Sequence, residues 1–145
     1  MLARPHHYIK NGFVFVPLFF SHKLANPILL ISVFFGFVGF CLAASAVYIF
    51  NDIMDAARDR QHPVKCRRPL AAGVMDKSGA TVFLMFLIGL LLICNLMIWN
   101  FSYSLLIGAY LVINGLYSLK LQQIVIVDGL CVASGYVFRV FAGAT

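Results

Sequence analysis

The stretch that decides the fold is residues 24–59, LANPILLISVFFGFVGFCLAASAVYIFNDIMDAARD. Its first part, Leu24–Phe50, carries no charged side chain and exceeds the roughly 20 apolar residues that a helix needs to cross a bilayer. Its second part, Asn51–Asp59, contains three aspartates. The stretch therefore predicts a membrane-spanning helix that ends in a group of carboxylates.

The composition of the whole chain agrees with a membrane protein. Of the 145 residues, 62% are hydrophobic and 11% are charged, whereas a soluble domain has roughly 45–50% and about 25%. The high aliphatic and aromatic content excludes a disordered chain. The net charge of +6 does not indicate a nucleic-acid partner, because the basic residues concentrate in one loop instead of covering a face.

Five apolar segments separated by short connections predict an all-α, polytopic membrane helical bundle. Short connections make neighbouring helices antiparallel, so we treat residues 1–145 as a single membrane domain. The first segment is short, and Pro17 kinks or interrupts it. The segments are Tyr8–Phe20, Leu24–Phe50, Gly79–Trp99, Tyr103–Ser118 and Ile124–Thr145.

The placement of lysine and arginine predicts the orientation. If the polar segment 51–78 lies in the cytoplasm, nine basic residues fall on the cytoplasmic side and Lys23 alone falls outside. This asymmetry follows the positive-inside rule and predicts a multi-pass protein of the inner (plasma) membrane. The nine residues are Arg4, Lys10, Arg58, Arg60, Lys65, Arg67, Arg68, Lys77 and Lys120.

The carboxylates of the chain are few and concentrated. There are five aspartates and no glutamate, and Asp52, Asp55 and Asp59 fall within eight residues. On a helix these three share a stripe about 60° wide, where like charges repel each other. A divalent cation would offset that repulsion, and Mg²⁺ typically binds through one or two carboxylates plus substrate phosphates. The alternative is a solvated polar helix end that nearby arginines neutralise.

Cationic side chains follow directly after the carboxylates. Lys65, Arg67 and Arg68 lie just beyond Pro63, within four residues. A metal held by carboxylates, with lysine and arginine nearby, suits a diphosphate group. The alternative is a positive-inside anchor that contacts anionic lipid head groups.

The segment Asn51–Gly73, NDIMDAARDRQHPVKCRRPLAAG, resembles the first aspartate-rich motif of the UbiA superfamily of membrane prenyltransferases. More narrowly, it resembles the decaprenyl-phosphate phosphoribosyltransferase branch, since the aromatic prenyltransferases usually have Arg-Thr where this chain has the run from His62 to Lys65. Arg4-Pro5, Lys10-Asn11, Tyr117-Ser118, Asp128 and the run from Gly135 to Arg139 are similar to that branch as well.

The resemblance implies a nine-helix fold, of which this chain is similar to about the first half, so a second half or an oligomer partner is expected. It also implies Mg²⁺-dependent transfer of 5-phosphoribosyl from 5-phosphoribosyl 1-diphosphate to a polyprenyl (decaprenyl) phosphate. The implied catalytic and metal-binding residues are Asp52, Asp55 and Asp59. The implied substrate-binding residues are Lys10, Asn11, Asn51, Lys65, Arg67, Arg68, Asp128 and Arg139.

Two alternatives to this function stay open at the level of the sequence. A related enzyme could move a prenyl group from its diphosphate to a small aromatic acceptor, and a half-length chain could be a non-catalytic membrane module that needs a partner half. Two of the site residues also have alternatives. Arg139 lies within a span and either serves function or extends to the far interface, and Asp128 either faces the metal site or caps its helix.

Overall fold

The computed structural model describes the backbone of residues 5–121 and 125–145 and the side chains of residues 8–119 and 129–145. Every regular element in these ranges is helical, which confirms the predicted all-α bundle. A 3-10 helix, Pro5–Phe15, leads into α1, a 3-10 turn lies at Lys65–Arg67, and a π-helical turn, Tyr117–Leu121, follows α4. The α-helices are α1 (Val16–Phe20), α2 (Pro27–Asp59), α3 (Lys77–Ile98), α4 (Phe101–Leu116) and α5 (Val125–Ala144).

Three of these helices are long and apolar enough to cross a membrane. Within the described residues they are Pro27–Asp59, Lys77–Ile98 and Phe101–Leu119, while Tyr8–Phe20 and Gly129–Ala144 are shorter apolar helices. Each of the five predicted segments thus corresponds to a helix. The first is short and changes from a 3-10 helix to an α-helix at Val16, so that Pro17 lies in the first turn of α1, where its missing N–H is tolerated.

The three long helices begin at side-chain caps that the sequence supplies. Asn26, Asp76 and Asn100 each accept a backbone N–H from the first turn of the following helix, at 3.0, 3.2 and 3.1 Å. Asparagine and aspartate are favoured here because their oxygens satisfy N–H groups that have no partner inside the helix. Pro27 follows the first cap, at a position where its missing N–H costs nothing.

Helix α2 continues nine residues beyond the predicted span end at Phe50. The polar segment 51–78 therefore begins with helical residues that carry the aspartates, as their predicted stripe on one helix face requires, and the irregular connection starts at Arg60. The helix continues because neither glycine nor proline occurs between Asn51 and His62. The three aspartates consequently have the fixed spacing of a rigid helix.

The connection after α2 packs onto the bundle through one apolar side chain. Leu70 is 2% exposed and joins a small core between α2 and α3. Burying a leucine side chain contributes roughly 1.5–3 kcal/mol, so this contact holds residues 62–68, here called the cationic segment, close to the end of α2. The other buried members of this core are Ile49, Ala56, Ala80 and Leu87.

Helices α2 and α4 run parallel, as two widely separated contacts show. Near one end of the bundle the Tyr103 hydroxyl donates to the Gly36 carbonyl at 3.1 Å. Near the other end the Ser118 hydroxyl donates to Asn51 Oδ1. The C-terminal end of α2 therefore lies beside the π-helical turn that follows α4, and the two together frame the site described next.

Candidate active site

A polar cavity of about 240 Å³ lies at the C-terminal end of α2. It contains five of the predicted site residues, which come from the helix and from the cationic segment. Two carboxylates and two cationic side chains meet in this cavity, which is a charge arrangement suited to a metal-bound anion. Its lining consists of Tyr48, Asn51, Asp52, Asp55, Lys65, Arg68 and Tyr117.

Arg68 bridges two buried carboxylates. Its Nη1 atom lies 2.7 Å from Asp59 Oδ2 and 3.2 Å from Asp52 Oδ1, and both aspartates are 2% exposed. A buried carboxylate needs a cationic or hydrogen-bonding partner, because an isolated buried charge is strongly unfavourable. The predicted phosphate ligand Arg68 therefore has a second task, which is to hold the cationic segment against α2.

The three predicted metal ligands do not converge as a set. Asp52 and Asp55 line the cavity, whereas Asp59 does not and is instead paired with Arg68. Asp55 forms an ion pair of 2.6 Å with Arg58, an exposed side chain. In the part of the chain that the structure describes, no three carboxylate, histidine or cysteine side chains form a metal-binding group. The metal role of Asp59 stays a prediction.

Asp52 and Asp55 by themselves supply the carboxylate oxygens that Mg²⁺ prefers as protein ligands. Mg²⁺ commonly takes one or two protein carboxylates and completes its shell with water and substrate phosphates. Both carboxylates line a cavity that also contains the cationic side chains of Lys65 and Arg68. These residues thus fit the cation that the sequence implies.

Asn51 is in the cavity as predicted, and the structure adds two tyrosines to the site. Asn51 is hydrogen-bonded to Ser118, which links the end of α2 to the turn after α4. Tyr48 precedes Asp52 by one helical turn, and this i, i+4 spacing could have identified it. Tyr117 lies in the Tyr-Ser pair that carries part of the resemblance, but no role followed from its position in the sequence.

Lys65 and Arg67 lie on the same 3-10 turn but differ in their position relative to the cavity. The turn directs Lys65 to the cavity, while Arg67 is exposed and does not line it. The predicted contact of Arg67 with substrate phosphate stays a prediction. The alternative, an anchoring role at the membrane surface, also agrees with its exposure.

Asn11 and Arg139 meet at a second place in the bundle. Arg139 Nε donates to Asn11 Oδ1 at 2.7 Å, and Asn11 Nδ2 donates to Cys41 Sγ at 3.1 Å. The Arg139 guanidinium also lies 5.3–5.8 Å from the ring centroids of Phe40, Tyr110 and Tyr136. Hydrogen bonding and cation–π attraction both stabilise such a buried cation.

This second cluster is distinct from the cavity at the end of α2. Cys41 precedes Asp52 by eleven residues, which is about 16 Å along the helix axis, and neither Asn11 nor Arg139 lines the cavity. The predicted contact of these two residues with substrate stays a prediction. Lys10 is exposed and outside the cavity lining as well, and the side chain of Asp128 lies outside the described residues.

Comparison with known proteins agrees with this architecture. The Nodulation protein NoeC of Azorhizobium caulinodans is 32% identical over 143 residues, which cover 99% of this chain and 46% of that protein. The Decaprenyl-phosphate phosphoribosyltransferase of Mycolicibacterium smegmatis is 36% identical over 150 residues, with 97% and 45% covered. That of Corynebacterium glutamicum is 33% identical over 143 residues, with 97% and 43% covered. The chain thus spans about half the length of these relatives.

The match to a known family extends over almost the whole chain. Residues 12–145 match the UbiA prenyltransferase family, and they include the membrane helices, the aspartate segment and the cationic turn. The chain is therefore an integral membrane protein, and it belongs to the UbiA prenyltransferase family.

Proposed function

We propose that this protein transfers a 5-phosphoribosyl group from 5-phosphoribosyl 1-diphosphate to a polyprenyl phosphate. The observation that carries the proposal is the cavity at the end of α2, where Asp52, Asp55, Lys65 and Arg68 meet. Two relatives named Decaprenyl-phosphate phosphoribosyltransferase, 33–36% identical across nearly all of this chain, support the choice of donor and acceptor.

The proposed chemistry is a displacement of diphosphate at C1 of the sugar. Asp52 and Asp55 would hold Mg²⁺, which would neutralise negative charge on the leaving diphosphate. Lys65 binds phosphate oxygens as a compact point charge on a flexible stem. The bond from C1 to the diphosphate oxygen breaks with its electron pair on the diphosphate, and C1 gains oxocarbenium character.

The acceptor needs little activation by the protein. An oxygen of the lipid phosphate already carries negative charge, so it forms the new bond to C1 without a strong general base. A helix that spans the membrane and ends in the cavity suits such an acceptor, because the polyprenyl chain stays in the bilayer while its phosphate reaches the surface. We place this surface on the cytoplasmic side, where the basic residues concentrate.

A transfer assay with two donors tests the proposal. Membranes from cells that express the natural gene product receive Mg²⁺ and either labelled 5-phosphoribosyl 1-diphosphate with decaprenyl phosphate, or a labelled prenyl diphosphate with 4-hydroxybenzoate. Membranes that contain the Asp55→Asn variant provide the matched control.

The proposal predicts label in the polyprenyl lipid with the first donor only, and its loss in the variant. Label transferred from the prenyl diphosphate alone would assign the protein to the aromatic prenyltransferases instead. Transfer from neither donor, with a protein shown to be folded and inserted, would favour a membrane module without activity of its own.

A further inference from the structure

Three backbone N–H groups of the cationic segment donate hydrogen bonds to one residue, His62. His62 Nδ1 accepts the backbone N–H of Val64 at 3.2 Å and that of Lys65 at 3.3 Å. The backbone carbonyl of His62 accepts the N–H of Cys66 at 3.1 Å. One residue therefore receives three consecutive backbone donors of the segment.

The identity of the next residue explains why a side-chain acceptor is needed. Pro63 has no N–H and fixes its own φ near the helical value, so the first donors of the turn are those of Val64 and Lys65. Such donors at the start of a turn have no backbone partner and are usually capped by a side-chain oxygen. Here an imidazole nitrogen does this, which requires the neutral ring with its proton on Nε2.

The rest of the turn follows from this cap. The N–H of Arg67 donates to the Val64 carbonyl at 3.4 Å, and that of Arg68 donates to the Lys65 carbonyl at 3.0 Å. Lys65, the first residue of this short 3-10 turn, and Arg68, the residue directly after it, both line the cavity, and Arg68 also holds Asp52 and Asp59. A change in the turn would therefore move both cations.

Lys65 depends on the turn more than Arg68 does. Arg68 has its two carboxylates to hold it, but among the described residues Lys65 forms no ion pair with any carboxylate. The position of its flexible stem therefore depends on its backbone, whose N–H is bound to His62. His62 itself is exposed and does not line the cavity, so it acts through Lys65 and not on the substrate.

We propose that His62 is a positioning residue, which caps the turn Lys65–Arg67 and thereby holds Lys65 in the cavity for an anionic phosphate of the donor. The inference rests on the proposed function and deepens it, because it assigns part of the donor affinity to a residue outside the cavity. It does not require His62 to transfer a proton.

Three substitutions of His62 separate capping from other roles. In His62→Asn, the amide oxygen lies as far from the backbone as Nδ1 does, so it keeps the cap. In His62→Gln, the polar group lies one carbon farther out, in the place of Nε2, and it loses the cap. His62→Ala removes the side chain and provides the reference. Size-exclusion chromatography in detergent confirms that each variant is folded.

Donor kinetics give the first readout. We expect His62→Ala and His62→Gln to raise the KM for 5-phosphoribosyl 1-diphosphate by about fivefold to tenfold, taking the loss of donor affinity as similar in size to the stability that a lost cap typically costs, with kcat within about twofold of wild type. His62→Asn should stay within about twofold of wild type in both constants. A His62→Asn variant as impaired as His62→Gln would overturn the proposal.

Alkylation of Cys66 gives a second readout that does not depend on activity. Cys66 is half-buried, and its thiol donates to the Pro63 carbonyl at 3.5 Å, inside the capped turn. N-ethylmaleimide labelling, followed by peptide mass spectrometry, should show severalfold faster alkylation of Cys66 in the Ala and Gln variants, with the wild-type rate in the Asn variant. Equal rates in all four proteins would refute the cap. This outcome can be read even if neither donor supports transfer, so the two proposals fail separately.

Discussion

Replacement of Arg68 by alanine should destabilise the protein more than any other change in the cationic segment. The substitution leaves the carboxylate of Asp59, which is 2% exposed, without the ion pair that the structure gives it, and it removes one partner of Asp52. Removing one member of a buried ion pair costs about 3–5 kcal/mol. Arg68 is about a quarter exposed and Asp52 keeps other interactions, so we expect the lower end, about 3 kcal/mol.

The effect can be measured as thermal unfolding in detergent. For a protein of 150–250 residues, about 1 kcal/mol corresponds to about 2–4 °C, so the apparent Tm of Arg68→Ala should fall by about 6–12 °C. Arg67→Ala is the matched control, because Arg67 has the same charge, is the adjacent residue and is exposed. Its Tm should change by less than about 2 °C, as for most surface substitutions.

A double substitution identifies the cause of the loss. Asp59→Asn in the Arg68→Ala background removes the unpaired charge, so the double variant should recover roughly half of the lost stability. The reasoning is refuted if Arg68→Ala unfolds at the temperature of Arg67→Ala, or if Asp59→Asn destabilises the two backgrounds equally.

Three further predictions concern other parts of the molecule. Asp55→Asn should reduce transfer at least 100-fold through loss of a metal ligand. It should change the unfolding free energy by less than about 1 kcal/mol, because the ion pair of Asp55 is with an exposed arginine. The control Asp76→Asn keeps the cap of α3 and should change neither the transfer rate nor the unfolding free energy. Arg139→Met should destabilise the protein by about 1–3 kcal/mol because it leaves the buried Asn11 oxygen without a donor. Adding Asn11→Leu to this variant should restore the stability. Transfer retained in the stable double variant would contradict the predicted contact of Asn11 and Arg139 with substrate. Cys66 should react with an impermeant thiol reagent in opened cells but not from outside intact cells, and the reverse result would invert the topology.

The fold could largely be predicted from local sequence patterns, because each pattern is set by the residues of one helix. The spans follow from uninterrupted apolar runs, although the run that begins at Leu24 becomes helical only at Pro27, after the cap Asn26. The helical continuation through Asn51–Asp59 also follows from the sequence, because no glycine or proline interrupts it, although the apolar run stops at Phe50. A hydropathy pattern locates the membrane and does not locate the last turn of a helix.

The site could be predicted only in part, because some of its contacts join distant residues. The stripe of aspartates was visible from helical spacing, but the pairing of Arg68 with Asp52 and Asp59 depends on how the connection folds back over Leu70. Arg139 and Asn11 are 128 residues apart, and no local sequence pattern predicts their contact. A single polar residue within an apolar segment indicates that it has a hydrogen-bonding partner elsewhere in the bundle. Only the packing of the helices identifies which side chain that partner is.

The most direct test of the central claim is the KM for 5-phosphoribosyl 1-diphosphate in Lys65→Ala compared with Lys77→Ala. Both substitutions remove one positive charge from the same membrane surface, but Lys65 lines the cavity at the end of α2 and Lys77 does not. If the donor diphosphate binds in this cavity, Lys65→Ala should raise the KM about tenfold or more, since a hydrogen bond to a charged group contributes about 1.5–3 kcal/mol, and Lys77→Ala should leave it unchanged. An unchanged KM in Lys65→Ala, with only membrane insertion or orientation impaired, would contradict the account and make Lys65 a topological anchor.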